Sequence, residues 1–165
     1  MPKIKISSAV AAATLFCAST AFAQPFTSEG TVEGWNIFLN ESTKNCLMEK
    51  VESNGFVVQI ARTGEGEEFG RLGVYSPNPT DIKDGETREL TFDLDGERFT
   101  GEATGSLHEG YQGGYAFANN PQFGEALASK QTLTIEPDGA NPVVVDLSGT
   151  MAAMDAVKDC QVRNN

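Results

Sequence analysis

The stretch LTFDLDGERFTGEA, at residues 90–103, decides the fold class. Leu90, Phe92 and Leu94 alternate with polar residues, which is the period of a strand that buries one face and exposes the other. An Asp-Gly pair follows, and this dipeptide tolerates the positive φ angles of a tight hairpin turn. The stretch therefore predicts a half-buried antiparallel hairpin.

Strand patterns recur on both sides of this hairpin. Short apolar or alternating runs are separated by Gly, Asn, Asp and Pro, which is typical of strands joined by tight turns. We predict strands at 35–39, 46–51, 56–61, 69–75 and 114–118, and a further pair formed by QTLTIE and PVVVDL. The chain is therefore predicted to be mainly β, an antiparallel β-sandwich or partly open barrel with two short helices.

The two helices are predicted at about 121–129 and 150–161. Asn120 can cap the first, and Pro121 suits its first position because the N–H that proline lacks is unpaired there anyway. The second helix has apolar residues at helical spacing and a candidate cap at Thr150 or Ser148. Such a helix can lie on the sheet.

The beginning of the chain indicates export. Lys3 and Lys5 precede an uncharged apolar run, and Ala21-Phe22-Ala23 places small residues where a signal peptidase reads them. The apolar run is too short to span a bilayer. We expect a signal peptide at 1–23, an N-terminal extension at 24–33 and a single β-rich domain at 34–165, in the periplasm or secreted.

The cysteines fit an exported domain. Cys17 leaves with the signal peptide, so Cys46 and Cys160 remain, and an oxidising compartment lets these two pair. A loop longer than ~100 residues would be closed, for which chain entropy gives about 4–5 kcal/mol. We predict a Cys46–Cys160 disulfide that joins the start of the domain to its last helix.

Charge excludes several classes of partner. The chain has 23 acidic and 12 basic residues, a formal net charge of −11. Such a surface repels nucleic acid and anionic lipid headgroups, so we expect no nucleic-acid binding and no membrane insertion once the signal peptide is removed. The expected partner is a protein or small ligand of the cell envelope. Its identity and the oligomeric state are left open.

No catalytic or metal-binding set stands out. His108, the one histidine, has Ser106 and Glu109 as neighbours in sequence, and sequence neighbours seldom form a triad. The Asp-rich turns at 81–86 and 93–97 lack EF-hand spacing. We expect no catalytic residue, metal or cofactor, and therefore no enzyme. Two alternatives stay open: a small hydrolase that uses a carboxylate pair, and a calcium-stabilised envelope protein.

One segment offers a candidate binding surface. Tyr111, Tyr115 and Phe117 stand in a glycine-rich segment, where flat rings could stack on a sugar or a peptide. The competing interpretation is ordinary packing within a strand. The residues identify no activity, so the leading hypothesis is an exported, non-enzymatic binding or interaction domain.

The chain resembles the invasion-associated locus B (IalB-like) family of small exported bacterial proteins. The resemblance is carried by GWNIFLN with the cysteine that follows it, by LTFDLDGERFTGEA, by the short helix before QTLTIE, and by VVVDLSGTMAAMDAVKDC. It covers most of residues 34–160. It departs at Thr150, where the family usually has an aromatic residue, and in lacking a segment rich in Arg, Gly and Thr. The resemblance implies a β-rich periplasmic or surface-associated domain and transfers no active-site residue.

Overall fold

The computed structural model describes residues 26–62, 69–108, 110–117, 120–137 and 141–164. The predicted signal peptide, including Cys17, lies outside these residues. The strands are β1 (Phe26–Val32), β2 (Trp35–Asn40), β3 (Cys46–Val51), β4 (Val57–Arg62), β5 (Phe69–Ser76), β6 (Thr87–Leu94), β7 (Glu97–His108), β8 (Tyr111–Phe117), β9 (Thr132–Pro137) and β10 (Val143–Asp146). The helices are α1 (Pro121–Ser129) and α2 (Thr150–Asn164).

The strands form one antiparallel sheet in the order β1-β2-β3-β4-β5-β8-β7-β6-β9-β10, which confirms the mainly β class with two helices. The sheet is open and not closed into a barrel. It nevertheless curves strongly, as contacts between strands from its two ends show. Lys50 on β3 donates to the carbonyl of Asp146 at the end of β10 over 2.9 Å. The indole of Trp35 likewise donates to the carbonyl of Ser148 at 3.0 Å. Residues from both ends of the sheet therefore share one apolar core.

The hairpin at 90–103 forms as predicted. Phe92 pairs with Phe99, and Asp95 and Gly96 make the turn with φ angles of 52° and 93°. Phe92 and Leu94 are buried in the core. β7 continues to residue 108, and β8 begins at 111, earlier than the predicted 114. The glycine-rich segment is therefore a strand over most of its length. Gly105, Gly113 and Gly114 face close neighbours there, and Gly110 lies in the turn.

β1 lies within residues 24–33, which the sequence analysis assigned to an extension before the domain. It pairs with β2 from Phe26 opposite Asn40 to Val32 opposite Trp35, with a bulge near Gly30. The strand has no apolar alternation because it lies at the edge of the sheet and its side chains are largely exposed. Backbone pairing, which the side-chain pattern does not reveal, makes it part of the sheet.

The helix termini agree with the prediction in one case only. The side chain of Asn120 accepts the backbone N–H of Gln122 at 3.0 Å, as predicted for the cap of α1. At α2 the predicted caps are wrong. The hydroxyl of Ser148 donates to Asp146, and that of Thr150 is buried without a hydrogen-bond partner among the described residues. Within the described ranges, neither helix has the length and apolar composition needed to cross a bilayer.

The predicted disulfide is present. Cys46 begins β3, Cys160 lies near the end of α2, and their Cα atoms are 6.1 Å apart. Gln161 strengthens the same junction, because its side chain accepts the N–H of Cys46 at 2.9 Å and donates to the carbonyl of Lys44 at 2.8 Å. Packing of α2 on β1, β2 and β3 seals this side of the core.

Candidate ligand cavity

The aromatic residues singled out in the sequence lie on one face of β8, the outer face of the curved sheet. Tyr115 and Phe117 meet edge to face with their ring centroids 5.5 Å apart. Tyr111 pairs with His108 at the other end of the strand, about 13 Å from Tyr115 at the usual rise per residue. The structure therefore brings two of the three together and leaves Tyr111 apart.

A residue that the sequence analysis did not single out occupies the space between them. Tyr75 is opposite Gly113, and its ring lies against Gly73 and Gly113, so it is only 3% exposed. Arg71 donates to the hydroxyl of Tyr75 at 3.1 Å and stacks over the ring of Tyr115 at 4.9 Å. These contacts explain the glycines, which leave room for the ring of Tyr75.

The outer face also carries a shallow groove of about 840 Å³. Tyr115 and Phe117 line it together with threonines of β7. Phe117 is 53% exposed, while one face of Tyr115 is covered by Arg71. Of the two outer-face rings that line the groove, Phe117 is therefore the one more accessible to a ligand.

The inner face of the sheet holds a different kind of site, a cavity of about 310 Å³. Its walls are mostly apolar and come from β5 to β10, including Leu72, Val74, Leu90, Phe92, Ala116 and Ile135. Small-molecule sites typically have a volume of ~300–1,000 Å³, apolar walls and a few polar groups. The cavity has this character at the lower end of the size range.

The cavity lies where a loop covers the inner face. α1 covers the other end of the same strands, where Phe123 meets Phe92 and Phe99 with ring centroids 5.3 Å apart. Residues 77–86, here called the strap, run from β5 to β6 and lie directly on Gly105. Gly105 donates to the carbonyl of Glu86 at 2.7 Å and accepts the N–H of Gly85 at 2.9 Å. A side chain at position 105 would overlap the carbonyl of Lys83, so only glycine lets the strap approach so closely.

Two side chains fix the strap further. Asp84 accepts the backbone N–H of Leu107 at 3.2 Å. Gln112 accepts the backbone N–H of Thr80 at 2.9 Å. The strap is therefore bonded to β7 and β8 along its length, and the cavity below it is a defined space.

The charged residues that line the cavity are Asp81, Glu86 and Arg88. Arg88 continues the inward-facing row of Leu90 and Phe92 on β6. Its Nε lies 3.3 Å from Oε1 of Glu86, and its Nη1 lies 3.3 Å from Oδ2 of Asp81. Hydrogen bonds to Glu86 and then Asp81 raise the pKa of the Arg88 guanidinium, so it stays charged. The second carboxylate oxygen of Glu86, Oε2, is buried and has no hydrogen-bond partner among the described residues.

Comparisons with known proteins identify the fold. No protein-family model matches the chain, and no curated protein sequence matches it. The crystal structure of invasion associated protein B from Bartonella henselae is similar, with a TM-score of 0.61 and 16% sequence identity. The alignment covers 82% of this chain and 99% of that one. At this identity the likeness shows a shared fold alone, and to that extent it supports the resemblance noted in the sequence.

The acidic residues considered for catalysis or calcium have structural partners. Asp81 and Glu86 both face the cavity, but they come from the same strap and contact the same guanidinium. In the hairpin turn, Asp93 accepts the N–H of Gly96, and Asp95 accepts that of Gln131. In the part of the chain that the structure describes, no three His, Cys, Asp or Glu residues converge as metal ligands. The side chain of His108 lies outside that part.

The sequence predicts a loop at the strap, but neither its packing on Gly105, nor the role of Arg88, nor the cavity was predicted. One signal was available, because Arg88 falls two residues before Leu90 and so shares its inward face. A charge that continues an apolar row indicates either the rim of a core or the mouth of a site. The contact between the strap and Gly105 has no local signal, since it joins segments about twenty residues apart.

Proposed function

We propose that the protein is an exported, non-enzymatic binding domain that holds a small, largely apolar molecule in the inner cavity. The observation that carries the proposal is the cavity itself, with apolar walls from six strands and a small charged cluster at its polar end. Such a combination is the usual form of a small-molecule site. No catalytic role is assigned to the cluster, because its two carboxylates face one guanidinium and not each other.

The proposed location is the periplasm or the extracellular space. The signal-peptide pattern at residues 1–23 supports it, and so does the disulfide, because such bonds persist in oxidising compartments. A protein named for its association with invasion shares the fold. The proposal does not extend that name to this chain.

The test is binding of a neutral apolar dye, N-phenyl-1-naphthylamine, to the oxidised mature protein, measured by fluorescence. We expect saturable binding that Ala103→Leu weakens at least about tenfold, because the larger side chain fills part of the cavity. Thr104→Leu is the matched control. It adds a leucine at the next position of the same strand, on the outer face opposite Tyr115, so it should change dye binding only if the dye occupies the outer groove, which Thr104 lines.

Absence of saturable binding by the folded wild type would refute the cavity as a ligand site. Equal loss in both leucine variants would show that the dye responds to the stability of β7 and not to the cavity. Circular dichroism of each variant confirms that the comparison is between folded proteins.

The outer groove is a second candidate site, for a sugar or a peptide. The observation that favours it is the exposed ring of Phe117 beside Tyr115 at the edge of the groove. We expect Phe117→Ala to abolish any such binding with little change in melting temperature. Tyr115→Ala should lower the melting temperature, because it removes the contact with Arg71. Tyr111→Ala, at the far end of the strand, is the matched control.

A further inference from the structure

The geometry points to a ligand class for the cavity: a neutral or cationic amphiphile, such as an alcohol or amine with an apolar chain, in preference to a fatty-acid anion. This inference rests on the proposed function and concerns the polar end of the same cavity. It depends on which groups at that end are already bonded and which are free.

Arg88 is the group that would ordinarily bind an acidic headgroup, and its donors are occupied. Nε contacts Oε1 of Glu86 at 3.3 Å, Nη1 contacts both carboxylate oxygens of Asp81, and Nη2 contacts the carbonyl of Asp81 at 3.4 Å. A fatty-acid carboxylate would have to displace partners of its own charge from these positions. The guanidinium is therefore neutralised before a ligand arrives.

Glu86 provides the free group. Glu86 lines the cavity, and its Oε2 is buried beside it and lacks a hydrogen-bond partner among the described residues. A buried carboxylate oxygen without a donor is costly. A rotation of the side chain that turns this oxygen towards a ligand O–H or N–H in the cavity therefore gains a charge-assisted hydrogen bond. An acid in its anionic form brings no donor.

The local charge acts in the same direction. Two carboxylates and one guanidinium face the cavity, and they are the charged side chains that line it among the described residues. The whole chain carries a formal net charge of −11. A cationic headgroup is therefore attracted, a neutral hydroxyl is accepted and a carboxylate is repelled at this end of the cavity.

The experiment is displacement of N-phenyl-1-naphthylamine from the oxidised mature protein at neutral pH by three competitors with one decyl chain. They are decylammonium, decanol and decanoate. We expect decylammonium and decanol to compete at least about tenfold better than decanoate, the effect of one charge-assisted hydrogen bond. Since the chain is the same, the headgroup alone accounts for any difference.

Glu86→Gln sharpens the test, because it replaces the free acceptor with an amide and removes one negative charge. We expect the preference for decylammonium over decanoate to fall about tenfold or to reverse. Glu89→Gln is the matched control. It removes the same charge three residues away, at an exposed position that does not line the cavity, and should leave the preference unchanged.

The outcomes separate the two levels of the argument. If the dye does not bind, the proposed function fails. If the dye binds but decanoate competes as well as decylammonium, or better, the headgroup inference is overturned and the cavity remains a binding site. An unchanged ranking in folded Glu86→Gln also overturns it. If that variant does not fold, the wild-type ranking alone decides.

Discussion

The two halves of this sheet bury their inner faces in different ways. In the disulfide half, formed by β1, β2 and β3 with α2, the inward side chains of Trp35, Met48 and Cys46 are fully buried. In the cavity half, formed by β5, β8, β7 and β6 with the strap, Val74, Leu90 and Ala103 face inward but are only partly buried. One sheet thus contains a close-packed core and an open space.

The difference follows from where the helices lie. α2 packs on the first three strands and on α1. α1 reaches β5 and, through Phe123, the end of β6 and β7 away from the strap. A helix presents a continuous apolar face, whereas the strap is held mainly by backbone hydrogen bonds at Gly105. Helical cover therefore gives the protein stability, and the thinner cover leaves space for a ligand.

Removing the disulfide should have the largest effect and should test whether the two halves depend on each other. We expect the double variant Cys46→Ala, Cys160→Ala to lose about 4 kcal/mol of unfolding free energy, because the bond closes a loop of 114 positions. Guanidinium unfolding at neutral pH measures it, with the reduced wild type for comparison. A loss below about 1 kcal/mol would contradict the entropic account.

A pair of truncations compares the two halves directly. Met48→Ala, in the disulfide half, should cost about 3 kcal/mol, because a fully buried side chain leaves a void in close packing. Leu90→Ala, at the wall of the cavity, should cost about 1 kcal/mol, because that side chain already borders open space. Urea unfolding of both variants gives the two values. Equal costs would remove the distinction between the halves.

Gly105→Ala tests the contact of the strap with β7. The added methyl would overlap the carbonyl of Lys83, so we expect a loss of about 2 kcal/mol and faster amide exchange at Gly85, whose N–H bonds to Gly105. Gly101→Ala is the control on the same strand, where the methyl meets only Phe92 at an ordinary 3.5 Å. A strap unaffected by the first variant would show that the contact is not required.

The smallest expected effect concerns acid. Hydrogen bonds from Lys50 and then Ser148 lower the pKa of Asp146 from 3.8 to about 2. The contribution of this carboxylate to stability is therefore complete above about pH 4 and lost as the pH falls towards about 2. Its side chain is 54% exposed, so solvent screening limits the contribution to less than about 1 kcal/mol.

Asp146→Asn checks this assignment. Unfolding of wild type and variant should differ at neutral pH and converge as the pH falls below about 2, because the carboxyl of the wild type is then protonated. A constant difference across that range would mean that the effect of the substitution does not come from the ion pair with Lys50. Asp155→Asn is the control. It removes the carboxylate of another exposed ion pair, the one with Lys158 on α2.

Local patterns predicted the local structure. The alternation of Leu90, Phe92 and Leu94 predicted the hairpin. Asn120 and Pro121 predicted the start of α1, and the two cysteines outside the signal peptide predicted the disulfide. Each of these signals lies within a few residues or depends on the chemistry of one side-chain type. Such signals survive in a single sequence.

The cavity depends on contacts that have no local signature. In the sequence, Gly105 only indicates a weak strand position, because its contact with the strap involves a distant segment. Glu86 is likewise indistinguishable from the other acidic residues, because its contact with Arg88 is visible only in the structure. β1 was assigned to an extension because an edge strand with polar side chains needs no apolar period. The predicted location and binding role stay predictions, and so does the absence of catalysis.

The strand order has a consequence for the kinetics of folding. Along the sheet, every neighbouring pair is consecutive in the chain except β5 with β8 and β6 with β9. Most pairings can therefore form as fast, short-range hairpins, and only two steps require distant segments to meet. Cys160 follows Cys46 by 114 positions, so we expect the disulfide to form after the hairpins and to stabilise the strand pairing that they have established.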